Sequence, residues 1–386
     1  MRVDNISSLA RQIHSTSIVF DTHADTAQRF LFDRFDLGHR DAEGGVDIPR
    51  MREGGVGAVF FALWVPIEIV GPKATHRASQ LLNAVNEQVR LHQNDLMLST
   101  CSQDVRAARM QGKIAVLIGL EGGHAIDNNL NVLREFFARG ARYMTLTHNA
   151  ATDWADSSNQ SPRHNGLTEF GSEVIHEMNR LGMLVDISHV SDQTFYDVLE
   201  ASRAPMIASH SSCRAICGAP RNMTDDMIKA LAAHGGVIHI TFHNAFLSQQ
   251  YADATQSLGS EWLSSLQAIS EKYGENEARK LVEGQRLSDD LTRAGKLPQV
   301  TWEEIIEHID HAVRLVGAAH VGLGSDFDGA FMPAGMEDVS KFPKITESLL
   351  RRGYAESDVR NILGENTLRV MAETRRVASE LQRQNV

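Results

Sequence analysis

The chain has 386 residues, with 38 Lys and Arg against 49 Asp and Glu, and its formal charge of −11 argues against nucleic acid or an anionic membrane as a partner. A hydrophobic fraction of 42%, 23% charged residues and 9 prolines describe a folded protein with a large core, not a disordered or fibrous one. Cys101, Cys213 and Cys217 are too few, and odd in number, for a disulfide framework, and they suit a reducing compartment.

Met1–Phe20 is interrupted by Arg2, Asp4 and Arg11, leaving no apolar stretch of the roughly 7–15 residues a signal peptide needs. No run of about 18 apolar residues occurs, and Arg375–Val386 is polar. The expectation is a cytoplasmic protein without a membrane partner.

Eight apolar runs predict strands: Ser17–Asp21, Ala58–Val65, Ile114–Glu121, Arg142–Thr147, Met183–Ser188, Pro205–Ser209, Val237–Thr241 and Val321–Asp326. Amphipathic stretches alternate with most of them, at Leu81–Leu91, Leu130–Ala138, Glu173–Leu181, Asp192–Ala201, Asp225–Ala233, Trp302–Val316 and Ile345–Arg351. Runs apolar on both faces suit parallel strands covered by helices, and eight of them predict a single-domain α/β protein, a (β/α)8 TIM barrel over residues 1–386. The surplus over a barrel's usual length lies largely in Phe242–Val300, which has helical patterns of its own at Glu261–Ser270 and Asn276–Val282. It reads as a helical cap inserted after the seventh strand, over the barrel mouth.

In such barrels the chemistry projects from the C-terminal strand ends. The first run leads into His23 and Asp25, the third ends in Glu121, and the fourth leads to His148 and Asn149. The fifth leads to His189, the sixth to His210, and the eighth ends in Ser325, Asp326, Phe327 and Asp328. His23 and Asp25 are two apart, so in an extended segment they share a face and can reach one cation. Imidazoles and carboxylates converging from several strands are what a first-row divalent metal requires. His23, Asp25, Glu121, His189 and His210 exceed the three protein ligands of a single catalytic zinc, whereas two metals sharing Glu121 as a bridge use all five.

The segments FDTHAD (20–25), IGLEGGHAID (118–127), LTHNAATDWAD (146–156), DISHVS (186–191), ASHSSC (208–213), RNMTDD (221–226) and GLGSDFDG (322–329) resemble the membrane dipeptidase (renal dipeptidase) family of zinc peptidases. The motifs stand in family order and the resemblance spans about Phe20 to Leu368. It implies two zinc ions per chain, one held by His23 and Asp25 and the other by His189 and His210, with Glu121 between them. It further implies hydrolysis of dipeptides with a free C-terminal carboxylate by a metal-bridging hydroxide, with His148 beside the substrate carbonyl. Arg221 would receive the terminal carboxylate and Asp326 would handle protons.

Each role has a physical reason. The planar guanidinium of Arg221 pairs bidentately with a carboxylate, Asp326 at a strand end can take a proton from water and pass it to the departing amine, and His148 can stabilise an oxyanion. Unlike the mammalian members, this chain is expected to be without a signal, a lipid-anchor tail and paired cysteines, and a homodimer is left open. The competing enzyme reading is another binuclear amidohydrolase of lactonase, deaminase or phosphotriesterase type, and the competing non-enzyme reading is a barrel kept as a scaffold.

Several other residues invite a role. His239 and His243 are expected in the core or behind the ligands, Cys213 and Cys217 as ordinary buried thiols, and His14, His39, His76, His92 and His311 at the surface. Asp328 would share a face with Asp326 in an extended segment, and Asp326 is preferred as the proton carrier.

Overall fold

Each of the eight apolar runs contributes a parallel strand, and a ninth strand joins them: β1 (Val19–Ala24), β2 (Val56–Trp64), β3 (Leu96–Leu98), β4 (Ile114–Glu121), β5 (Ala141–Thr145), β6 (Leu184–Asp186), β7 (Ile207–Ser211), β8 (Val237–Ile240) and β9 (Val321–Leu323). The computed structural model describes residues 6–384, so Arg2, Asp4 and the last two residues lie outside the described residues. Eight strands close into a ring in the order β1, β2, β4, β5, β6, β7, β8, β9, sealed where Asp21 of β1 pairs with Leu323 of β9. The architecture is the expected (β/α)8 barrel.

The short β3 corrects the strand count. It runs beside the first half of β4, with Leu96 opposite Ile114 and Leu98 opposite Val116, while β5 takes over the same edge of β4 from Ile118 onward. Three residues carry too little periodicity to be legible as a strand. Short helices at Ala27–Phe32 and Ile48–Glu53, together with helices at Ser8–Thr16, Ser102–Met110 and Asn366–Gln384, also add to the predicted set.

The barrel floor is packed with Phe20, Phe60, Leu117, Tyr143, Ile207 and Val237. The rings of Phe20 and Phe60 stack at 5.6 Å and Tyr143 leans on Phe60 at 4.8 Å. Burial of each such side chain contributes about 1.5–3 kcal/mol. Tyr143 fits because β4 has glycine opposite it: a Cβ on Gly119 would lie 2.0 Å from the Tyr143 ring. Above this apolar floor the interior turns polar.

Five strands, β2, β5, β6, β8 and β9, end one to three residues sooner than their apolar runs. β6 stops at Asp186 and β9 at Leu323, and shortly beyond them the backbone turns left-handed, with φ of 68° at His189, 67° at Asp326 and 62° at Asp328. Non-glycine residues in this region carry strain that functional sites retain. Residues 242–300 form helices at Asn244–Leu247, Gln249–Leu258, Ser260–Tyr273 and Glu277–Arg293. The last is capped by Asn276, whose side chain accepts the Arg279 N–H, and its Glu277, Lys280 and Leu281 reach the cavity at the barrel mouth. Among the described residues no helix is long and apolar enough to cross a membrane.

His14 corrects a surface assignment. It is only 4% exposed, with one ring nitrogen 2.7 Å from the Thr346 hydroxyl and the other 2.6 Å from the Gly54 carbonyl. His92 and His311 are half-buried against Asp36 and Asp225, whereas His39 and His76 are exposed. Polar sequence neighbours do not reveal that one helix face packs inward.

Candidate metal centre and active site

Five strands bring their ends together above the apolar floor. His23 is the penultimate residue of β1, Glu121 closes β4 and His210 lies on β7, while Asp25 directly follows β1 and His189 and Asp326 stand three residues past the ends of β6 and β9. Glu121 stands between two histidine groups: Oε2 is 3.4 Å from His23 Nε2, and Oε1 is 3.2 Å from His189 Nε2 and 3.4 Å from His210 Nε2. His23 Nε2 is also approached by Asp25 Oδ2 at 3.4 Å and by Asp326 Oδ1 at 4.0 Å. Gly329 permits the approach of Asp25, because a Cβ there would lie 2.0 Å from its Oδ2.

Two of the three imidazoles are held from behind, and His189 Nδ1 is buried without a partner. His23 Nδ1 shares a 2.8 Å hydrogen bond with the Tyr143 hydroxyl, and His210 Nδ1 one of the same length with Ser209 Oγ. Partners of this kind fix ring orientation and leave Nε2 aimed inward. Asp186 accepts from Ser209, Ser188 and Thr145, and Asp21 accepts from Ser325, tying neighbouring strand ends together.

The site fits cations. Burial pushes the carboxyls of Asp25 and Asp326 up, Asp326 well above the ordinary carboxylate range, and repulsion from Glu121 adds to it. Burial holds His189 and His210 well below the usual imidazole value, with Arg221 and His23 adding their charge. His23 goes the other way: burial opposes its protonation, but Glu121 and Asp25 outweigh it and raise it well above its ordinary value. His23 Nε2 and Asp25 Oδ1 are buried without a hydrogen-bond partner. Three carboxylates crowded into a buried pocket with unpaired imidazole nitrogens are a donor set for divalent metal. The groups His23, Asp25, Glu121 and His23, His210, Asp326 and Glu121, His148, His189 each place ligand atoms within 4.8 Å of one another.

The centre opens into a cavity of about 320 Å³ whose walls include Trp64, His148, His243, Phe246, Phe331 and Lys280. Trp64 Nε1–H donates to His148 Nδ1 at 3.1 Å. Burial lowers His148 to about 3, so it is a neutral imidazole. A larger cavity of about 520 Å³ lies alongside, lined by charges already paired, such as Arg286 with Glu43 at 2.6 Å.

Arg221 is 3% exposed; it donates to Ser211 Oγ at 2.7 Å and to the His210 carbonyl at 2.6 Å, not to Asp225 or Asp226. Its Nε–H is buried without an acceptor, and its guanidinium lies 5.7 Å from the Phe246 ring. Burial lowers Arg221 to about 10.

The left-handed turns at Asp326 and Asp328 correct the expectation that the two share a face. Asp328 instead accepts from the Thr26 hydroxyl and the Gly45 N–H, both at 2.7 Å, which anchors a loop. His239 is a core residue with both nitrogens occupied, by the Ala208 carbonyl and Thr367 Oγ1 at 2.9 Å each. Cys213 and Cys217 are buried thiols, Cys213 pushed up to about 12 by burial.

Sequence reasoning did not single out Trp64, Tyr143, Ser209 or Asp21 as part of the site. The strand-end rule points at Trp64, the last residue of β2, but indole is not titratable and attracts no notice in a search for acids and bases.

A parallel barrel that gathers imidazoles and carboxylates at its C-terminal mouth is the scaffold of a metal-dependent hydrolase. Residues 8–385 match the model of the membrane dipeptidase family, peptidase family M19, and the chain belongs to that family. It is 34% identical over 348 residues to dipeptidase verJ of Clonostachys rogersoniana, covering 87% of this chain and 77% of that protein. It is 32% identical over 345 residues to dipeptidase 3 of Rattus norvegicus, covering 88% of this chain but only 60% of the rat protein's length. Among solved structures it is similar to the probable dipeptidase PvdM from Pseudomonas aeruginosa, with a TM-score of 0.80, 26% identity and coverage of 96% and 98% of the two chains. It also resembles a metallopeptidase from Rhodobacter sphaeroides bound to a phosphinate mimic of L-Ala-D-Ala, with a TM-score of 0.76, 25% identity and coverage of 93% and 99%.

Proposed function

We propose that the protein is a binuclear zinc dipeptidase that hydrolyses dipeptides bearing a free C-terminal carboxylate. The observation that carries this reading is the placement of Glu121, whose two oxygens face different histidine groups. His23, Asp25 and Glu121 would hold one ion, and Glu121, His189 and His210 the other. Two divalent cations bound there supply Lewis acidity toward a carbonyl oxygen and make water available as a nucleophile near neutral pH.

The chain's own residues do the rest. Arg221 offers its unaccepted Nε–H and remaining guanidinium protons to the terminal carboxylate, which selects short substrates. His148 donates to the carbonyl oxygen as negative charge develops on it. Asp326 takes the proton of the attacking water and returns it to the leaving amine, a task suited to a carboxyl whose affinity for protons is raised by burial. Phe246 and Phe331 wall the cavity and limit bulk water. The three unpaired cysteines suit a cytoplasmic setting.

The test is a dipeptide hydrolysis assay on metal-stripped and zinc-loaded protein, with metal analysis alongside. Two zinc ions per chain at saturation and activity restored only with them are expected. One ion at saturation, or no hydrolysis of any dipeptide in a library including L-D pairs, overturns the reading.

A further inference from the structure

Trp64 ends β2 directly opposite Glu121 in the strand register, and its carbonyl is fixed by the Gln28 side-chain amide at 2.8 Å. Its indole nitrogen stands 3.1 Å from His148 Nδ1, and the two rings meet edge to face at 5.4 Å. An indole N–H donates and never accepts. The contact therefore needs a lone pair on Nδ1, and an imidazole with a lone pair there carries its one proton on Nε2. Among the described residues no protein acceptor reaches His148 Nε2, and the ring lines the cavity.

Distance alone would make His148 a further metal ligand, because it clusters with Glu121 and His189. Tautomer decides otherwise. A protonated Nε2 has no lone pair for a cation, and the lone pair of Nδ1 is engaged by the indole. What remains is an N–H aimed at the cavity.

We propose that Trp64 is a positioning residue: its indole N–H locks His148 in the Nε2–H tautomer, which removes His148 from the ligand set and presets it as a donor to the reacting carbonyl oxygen. What the donor acts on rests on the dipeptidase reading; the tautomer itself does not. A donor oriented before substrate arrives costs no reorganisation as the oxyanion forms. An unlocked imidazole would divide between a donating form and one that presents a lone pair to the oxyanion.

Nitrogen NMR of the zinc-loaded protein labelled at histidine tests the lock directly, with His148 assigned by the signal missing from His148→Gln. A pyrrole-type Nε2 and a pyridine-type Nδ1 are expected; a protonated Nδ1, or an Nε2 shifted by zinc coordination, overturns the proposal. Trp64→Phe keeps an aromatic ring and deletes the N–H. In that variant zinc content should match wild type, KM should stay within about threefold, kcat should fall about 10–100-fold, and the His148 signals should move to a mixture of tautomers. Unchanged kcat, or unchanged His148 signals, overturns it. Absence of dipeptide hydrolysis by the wild type would strike at the proposed function while leaving the tautomer measurement to stand or fall by itself.

Discussion

Asp186 holds Ser209 by two hydrogen bonds: Oδ1 accepts the backbone N–H at 2.8 Å and Oδ2 accepts the hydroxyl at 2.6 Å. Asp21 grips Ser325 in the same manner, at 2.8 and 2.6 Å. In each case a carboxylate just upstream of one inward-facing histidine, His189 or His23, clamps the serine immediately before a cavity residue on the neighbouring strand, His210 or Asp326. The donor atoms are thus positioned by strand-to-strand ties, not by their own turns alone.

Ser209→Ala tests the tie. It deletes the hydroxyl that donates to Asp186 and meets His210 Nδ1 at 2.8 Å. Stability of the metal-free protein should drop by about 1–2 kcal/mol, and metal affinity by about 10–100-fold. Denaturant unfolding and metal competition titrations measure the two; wild-type metal affinity would show that Ser209 does not orient His210.

Arg221→Ala should cost about 2–4 kcal/mol in transition-state binding, read as kcat/KM, by removing a charge-assisted contact to the substrate carboxylate. Amidated dipeptides should be poor substrates for the wild type, and the mutant should discriminate against them far less. Equal turnover of acid and amide by the wild type refutes the assignment.

Asp326→Asn keeps the shape and removes the basicity. Metal content should stay near wild type while kcat falls by roughly 10²–10⁴. Loss of metal along with activity would make Asp326 a ligand, and activity within about threefold of wild type would move the proton task to another residue.

His239 and His308 give the fold a pH dependence of its own. Burial lowers both to about 4 from an ordinary value near 6.5. Between those values the unfolded chain binds more protons at these positions than the folded one, so their contribution is complete above pH 6.5 and is lost as pH falls toward 4. Each adds a slope of about 1.4 kcal/mol per pH unit. His239→Gln should remove one of the two slopes; denaturation curves at pH 7, 6 and 5 that fall in parallel for mutant and wild type would contradict this.

The barrel and the gathering of donors were legible because both write themselves as patterns: apolar runs at strand spacing, and His, Asp or Glu just past their ends. What stayed hidden depends on contacts distant in sequence. Nothing around Leu96 separates a three-residue strand from a loop, and nothing around His14 shows that its ring meets Thr346. The extended reading of Asp326 and Asp328 failed because both turn left-handed, a backbone state that Asp tolerates but no neighbouring residue announces. Tyr143 and Trp64 escaped notice because they act through their hydrogen bonds to histidines brought near only by barrel closure.

The space that Gly119 leaves for Tyr143 binds the two positions into one heritable unit. Any side chain at 119 collides with the phenol ring, and any smaller residue at 143 leaves His23 Nδ1 without its hydroxyl and opens a void on the barrel floor. A lineage leaving this arrangement must pass through a variant with a loosened His23 or an overfilled core. Neither single step is neutral, so substitutions at 119 and 143 are expected to be strongly non-additive, and the Gly119–Tyr143 pair to be inherited together or replaced together.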